Sequence, residues 1–193
     1  MDKQELIDFE EGIAASFNNG EIPYPVHFSD GNEDQLIEIF KEIKSDDWAF
    51  GSWRMHYQAL LKGVSSEALK EAIFSGESMA LRFPKERVYG SAIVGGTIPI
   101  ALGVALGIKR EGGSERVWCF LGDMTAETGI FHEAKKYAEN FNLPINWVIE
   151  DNGISVCTNT KEAWGGDLSL TGVKRFKYQS RWPHCGSGVR VNF

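Results

Sequence analysis

Apolar residues recur first at helical spacing along this chain and later in short unbroken runs. From 3 to 18, Leu6, Ile7, Phe9, Ile13, Ala14 and Phe17 fall on or near one face, which predicts a helix. The stretch "GEIPYPVHFSDGNED" breaks that pattern with two prolines and two glycines and predicts a loop. Helical spacing returns at 33–43 in Leu36, Ile37, Phe40 and Ile43, with Asn32 or Asp30 as the cap. Residues 45–63 read as a loop and then a short helix ending near Gly63. "SSEALKEAIFSG" carries a serine cap and a glycine stop, so it predicts another helix. Residues 76–92 read as irregular, and Pro99 to Lys109 as a tightly packed helix rich in Ala and Gly.

The clearest unit follows. "RVWCFL", 116–121, is apolar almost throughout, as in a strand covered on both faces. At 127–141, Ile130, Phe131, Ala134, Tyr137, Ala138 and Phe141 recur at helical spacing, with Glu133, Lys135, Lys136 and Glu139 opposite. "INWVI", 145–149, is a second strand. A strand, helix and strand in this order predict a parallel pair with a right-handed crossover. The fold class expected is therefore α/β, a parallel sheet flanked by helices. Residues 1–45 would form an N-terminal helical arm and 46–193 the α/β domain. "VRVNF" at the end is a further candidate strand.

Composition narrows the function classes. A chain of 193 residues suits one domain or a domain with an arm, and can bury roughly 70% of its unfolded surface. The net charge of −7 argues against nucleic-acid binding, which needs a basic face. Cys119, Cys157 and Cys185 form no CxxC pair, so neither a disulfide framework nor a zinc site is expected. The acidic opening has no signal-peptide core, and a reducing, cytoplasmic location is expected. The longest apolar region, 92–108, is broken by four glycines and Pro99, so no membrane span is expected.

Candidate chemistry sits at the strand ends. Asp123 follows the first strand of the unit and Asn152 the second. Parallel neighbours lie about 4.8 Å apart and place both residues on the edge where open α/β sheets bind ligands. A carboxylate and an amide oxygen are hard ligands suited to Mg²⁺ or Ca²⁺, and the helix start beside them favours an anion. A diphosphate held through a metal is the chemistry this predicts. A plainer alternative is that Asp123 caps a helix and Asn152 makes a turn.

"GDM" followed after 27 residues by Asn152 resembles the thiamine diphosphate motif. "HFSDGNED", "SWRMHYQALLKG", "SAIVGGTIPIALGVALG" and "LPINWVIEDNGISVCT" resemble, in order, blocks of the α subunit of 2-oxoacid dehydrogenases. The resemblance runs from about residue 5 to 165 and implies a thiamine-diphosphate-binding fold. It implies Mg²⁺ ligands at Asp123, Asn152 and the Ile154 carbonyl. It places Arg54 on the diphosphate with Trp53 beside it where the family usually has Tyr. Ile93, Val94 and Gly95 would meet the aminopyrimidine ring, and Gly122, Met124 and Thr125 would line the diphosphate. Met124 departs from the family's usual Gly or Ala, so its side chain must point away from a close phosphate. The implied partner is a β-type subunit that completes the cofactor site, in an α₂β₂-like assembly acting on a 2-oxoacid. The Gly-Ala helix, 99–109, is the expected oligomer contact; tight packing within the monomer is its alternative. Alternative functions are the diphosphate half of a split transketolase and a non-catalytic subunit.

Family α subunits are longer and carry a phosphate-contacting histidine on a later loop; here the tail offers His184. His56, beside Arg54, is a candidate catalytic residue facing the reacting centre, or else a hydrogen-bonded packing histidine. His27 is expected to be structural, and His132 and Glu133 to face solvent or a subunit. The basic run "MALRFPKERVYG" is expected to be a solvated loop, and the tryptophans core or interface anchors.

Overall fold

The computed structural model describes residues 1–191. Helix α1 (Lys3–Asn18) begins where Asp2 accepts from the Glu5 N–H and the Glu5 carboxylate accepts in return from the Asp2 N–H. Helix α2 (Glu33–Phe40) stops three residues short of the predicted 33–43, the chain turning at Lys41. Strand β1 (Trp48–Gly51) comes next, then α3 (His56–Leu61) and α4 (Ser66–Phe74), the last capped by the Ser65 hydroxyl. Strands β2 (Arg82–Phe83) and β3 (Val88–Gly90) precede α5 (Thr97–Glu111). The predicted unit appears as β4 (Val117–Gly122), α6 (Asp123–Ala126), α7 (Gly129–Asn140) and β5 (Ile145–Asp151). A small hairpin, β6 (Ile154–Ser155) and β7 (Thr158–Asn159), leads into α8 (Thr160–Trp164) and the final strand β8 (Lys174–Lys177).

Six strands form one sheet in the order β2-β3-β1-β4-β5-β8, parallel except at the β2–β3 edge. Strands β4 and β5 are parallel neighbours in register from Val117↔Ile145 to Gly122↔Glu150, as expected. Four strands of this sheet, β1, β2, β3 and β8, fall where no strand was expected. Strand β1 is four residues long, and β2 and β3 have two and three, too few to display an alternation. Strand β8 is an edge strand with a mostly exposed "KRFK" sequence, so it lacks an apolar signal. The candidate strand at 189–193 is not formed over 189–191, and its last two residues lie outside the described ones.

Both sheet faces are covered. Along β4, Val117, Cys119 and Leu121 join Phe50, Trp147 and Ile149 against α5 and α7. Trp118 and Phe120, with Val148, face the other way against α1 to α4. Leu6, Ile13 and Leu36 from the first 45 residues belong to that same cluster, so these two helices pack as a layer on the sheet. Each such side chain contributes about 1.5–3 kcal/mol when fully buried. Asp47 pins β1 to β4: its carboxylate accepts from the Arg116 N–H at 2.7 Å and the Trp118 indole N–H at 3.1 Å.

After β8 the chain folds back over the 20–34 loop. Gly31 has φ of +80°, and a Cβ there would lie 2.0 Å from the Gln179 carbonyl oxygen, so only glycine lets the two segments pass. Asp30 then ties the tail by accepting from both the backbone N–H and Nε of Arg181, each at 2.7 Å.

Candidate functional site

The chain leaves β1 toward β3 on one side, while β4 leads toward β5 on the other. Their carboxyl ends therefore part between β1 and β4, the position at which open α/β sheets bind ligands. A cavity of about 300 Å³ lies there. Trp53 and Arg54 enter it after β1, and Val94 from the turn before α5. Gly122, Asp123, Met124 and Thr125 enter after β4, and Asn152 and Ile154 after β5. Nothing lies within 4 Å of where a Gly122 Cβ would be, which leaves open space beside the Asp123 backbone.

Asp123 is 2% exposed, and its Oδ2 accepts from the Thr160 hydroxyl at 2.5 Å. Burial raises its carboxyl above the usual range, the Thr160 bond opposes this, and the Asp151 charge adds to it. Asp151 is bound on its other side by Arg175, whose Nε donates at 2.9 Å. Asn152 uses its amide oxygen to accept the Ile154 N–H at 3.2 Å, a turn bond that leaves the second lone pair of that oxygen available. Met124 resolves its own bulk: its sulfur accepts the Trp164 indole N–H at 3.0 Å, so α8 holds the side chain.

Arg54 crosses one wall. Its Nε donates to the Phe28 carbonyl at 2.9 Å and its Nη2 to the His184 carbonyl at 3.1 Å. Glu150 lies on the wall near it, accepting from Asn32 Nδ2 at 2.9 Å and Gln58 Nε2 at 3.1 Å. Burial pushes its carboxyl up to about 8 against the opposing pull of Arg54 and the two amides. Tyr178, Trp182 and His184 complete the wall from the tail. His184 sits edge-on to His27, ring centroids 4.8 Å apart. Burial and the Arg54 charge lower the His184 pKa.

The structure does not bring every candidate together. His56 is fully buried and does not line the cavity. Both its ring nitrogens are engaged, Nδ1 with Glu10 and Nε2 with Ser78, each at 2.9 Å. The packing alternative for His56 therefore describes its surroundings, and the catalytic assignment lacks a route to substrate. Ile93 is 72% exposed and stands outside the cavity lining. Gly95 also stands outside it, at φ +70° beside Ile130.

Glu150 lies inside a family block without being among its implied site residues, and Thr160, Tyr178 and Trp182 carried no motif. Glu150 does have a locational signal, since it closes the same strand whose end supplies Asn152. Thr160 and Trp182 have none, because a loop's path decides their contacts.

His27 gives a pH prediction. It is buried, its Nδ1 has no hydrogen-bond partner, and burial followed by the Arg54 and His184 charges lowers its pKa from 6.5 to about 3. The unfolded chain binds that proton more readily, so the stability tied to neutral His27 is present above 6.5 and lost as pH falls toward 3. His27→Gln should flatten this part of the stability curve relative to the parent, measured as urea midpoints between pH 7 and pH 4.

The family model described as dehydrogenase E1 component matches residues 1–169. The chain belongs to the dehydrogenase E1 component family. The α subunit of acetoin:2,6-dichlorophenolindophenol oxidoreductase from Cupriavidus necator is 31% identical over 162 residues, 79% of this chain and 49% of that one. The E1 component α subunit of pyruvate dehydrogenase from Porphyra purpurea is 30% identical over 75% of this chain and 47% of its own length. The Bacillus subtilis acetoin counterpart is 29% identical over 80% and 49% respectively. The chain spans about half the length of these curated E1 relatives. The cavity wall from Tyr178 to His184 lies beyond the span that the E1 model matches. No helix among the described residues is long and apolar enough to cross a membrane.

Proposed function

We propose that this chain is the α-type subunit of a thiamine-diphosphate-dependent 2-oxoacid or acetoin dehydrogenase and holds the Mg²⁺-diphosphate half of the cofactor. The observation that carries this is the meeting of Asp123, Asn152 and Ile154 at one cavity with Arg54, at the carboxyl ends of adjacent parallel strands in an E1 family member.

The donor set fits the group. The candidate donors are a carboxylate, an amide oxygen and a backbone carbonyl oxygen, with ligand oxygens to complete the shell. That is the set Mg²⁺ accepts beside phosphates. Asp123 and Asn152 would supply side-chain oxygens and Ile154 its carbonyl. Arg54 would grip the diphosphate with Trp53 beside it, and the open space at Gly122 would admit it near Met124 and Thr125. The ring end would lie toward Val94, with Ile93 and Gly95 at the rim. Bound thiamine diphosphate supplies the nucleophilic carbon and electron sink needed to cleave a 2-oxoacid. The chain's own share is to anchor, orient and exclude water.

A β-type partner would complete the site, in an α₂β₂-like arrangement. Ile100 on α5 is 57% exposed, and Gly103 and Gly107 leave open space beside it, which supports α5 as a contact helix. Cys119, Cys157 and Cys185 are free thiols, consistent with a reducing, cytoplasmic setting.

Titration calorimetry with thiamine diphosphate, with and without Mg²⁺ and with and without a β-type chain, tests the proposal. Binding should require Mg²⁺ and tighten with the partner, and turnover of a 2-oxoacid with an artificial electron acceptor should need both chains. Absence of binding in every condition would refute the proposal.

A further inference from the structure

A single peptide group links the buried core to the guanidinium in the cavity. The Phe28 carbonyl oxygen accepts from Arg54 Nε at 2.9 Å. The N–H of the same peptide unit, on Ser29, donates to Glu10 Oε1 at 2.6 Å. Both carboxylate oxygens of Glu10 also lie 2.9 Å from His56 Nδ1, and His56 Nε2 lies 2.9 Å from Ser78 Oγ.

A carboxylate only accepts, so His56 Nδ1 carries a proton and donates to Glu10, while Nε2 pairs with the Ser78 hydroxyl. Glutamate, histidine and serine in this order have the spacing of a hydrolytic triad. They are 1%, 0% and 1% exposed, however, and none lines the cavity, so no substrate reaches the serine. The network acts in the other direction. An N–H bonded to a carboxylate polarises its peptide and strengthens the carbonyl as an acceptor. That carbonyl holds Arg54 at Nε, while the His184 carbonyl holds Nη2 at 3.1 Å. A planar fork fixed at two points offers its remaining N–H groups in one direction.

We infer that Glu10 is a positioning residue for Arg54: by fixing the Phe28–Ser29 peptide it sets the direction in which the guanidinium faces a bound diphosphate. The functional consequence rests on the phosphate-binding role proposed for Arg54. A Glu10 that merely fastens α1 to α3 would stabilise the fold without governing Arg54, and the two roles separate by experiment.

The first readout needs no ligand. In the ¹⁵N-labelled chain, the Arg54 Nε–H resonance should be slow to exchange, and Glu10→Gln should shift it and speed its exchange. Glutamine is neutral and puts an NH₂ donor in place of one of the two carboxylate oxygens that face His56 Nδ1, so it removes both the charge and one acceptor. Glu10→Asp keeps the charge but withdraws the carboxylate by one methylene, and should act the same way if the glutamine variant does not fold. An unchanged Arg54 signal in a folded variant overturns the inference.

The second readout is calorimetric titration of inorganic diphosphate in the presence of Mg²⁺. Glu10→Gln should weaken binding roughly ten- to hundredfold, the range for one hydrogen bond to a charged group. The same change in an Arg54→Ala background should have little further effect; full additivity overturns the inference. A parent chain that binds no diphosphate contradicts the role proposed for Arg54, and the ligand-free resonance then still decides whether Glu10 positions it.

Discussion

Asp123→Ala should weaken Mg²⁺-dependent thiamine diphosphate binding by more than about a hundredfold while leaving the chain folded. Loss of an outer-shell partner of a metal ligand costs about 10–100-fold in affinity, and loss of the only charged ligand should exceed that. The fold should survive because Asp123 is an electrostatic burden without a cation. Its carboxyl is buried 2% exposed, and burial and the Asp151 charge both disfavour its ionised form. Asp123→Asn separates charge from shape. The Asn oxygen can still accept from Thr160, so this variant should melt no lower than the ligand-free parent and yet lose the Mg²⁺-dependent affinity. Calorimetry and thermal melts on the same samples check both halves. A variant that binds as the parent does would remove Asp123 from the metal site.

His56→Ala should destabilise the chain by about 3–5 kcal/mol, the range for breaking a buried pair. The substitution opens a cavity in a wholly buried position and strips Glu10 and Ser78 of a partner at 2.9 Å each. Urea denaturation measures the loss. Any fall in turnover should then follow the loss of folded protein. A variant of parental stability with abolished turnover would restore the catalytic role considered from sequence.

The central architecture was legible because it depends on contiguous patterns. The run "VWCFL" alternates between two covered faces, so every position is apolar, and the helix at 129–140 keeps one apolar stripe. Asp123 and Asn152 were legible because strand ends in a βαβ unit share one edge, and the register Gly122↔Glu150 bears that out. Strand β1 was not legible. Its Trp-Ala-Phe-Gly sequence, buried from Ala49 on, is too short to show a period, and its place between β3 and β4 depends on distant partners.

Among the site residues, those next to a motif were readable and those brought by a long path were not. Glu150 alternates with Ile149, so it points toward the α1–α4 layer, where Asn32 and Gln58 meet it. No local pattern reveals that meeting across more than ninety residues. His56 shows the converse: it stands next to Arg54 in sequence but does not line the same cavity. Two steps along the chain entering α3 turn the imidazole into the core, where Glu10 from α1 meets it. Met124 departs from the motif, and the contact that accommodates it comes from Trp164, forty residues later.

The most direct measurement replaces Mg²⁺ by Mn²⁺ in crystals of the chain with thiamine diphosphate and its β-type partner, and locates the metal by anomalous scattering. The account predicts one peak coordinated by the Asp123 carboxylate, the Asn152 amide oxygen and the Ile154 carbonyl, with the diphosphate beside Arg54. A metal–diphosphate pair bound elsewhere, with Asp123 still holding the Thr160 hydroxyl, would contradict it.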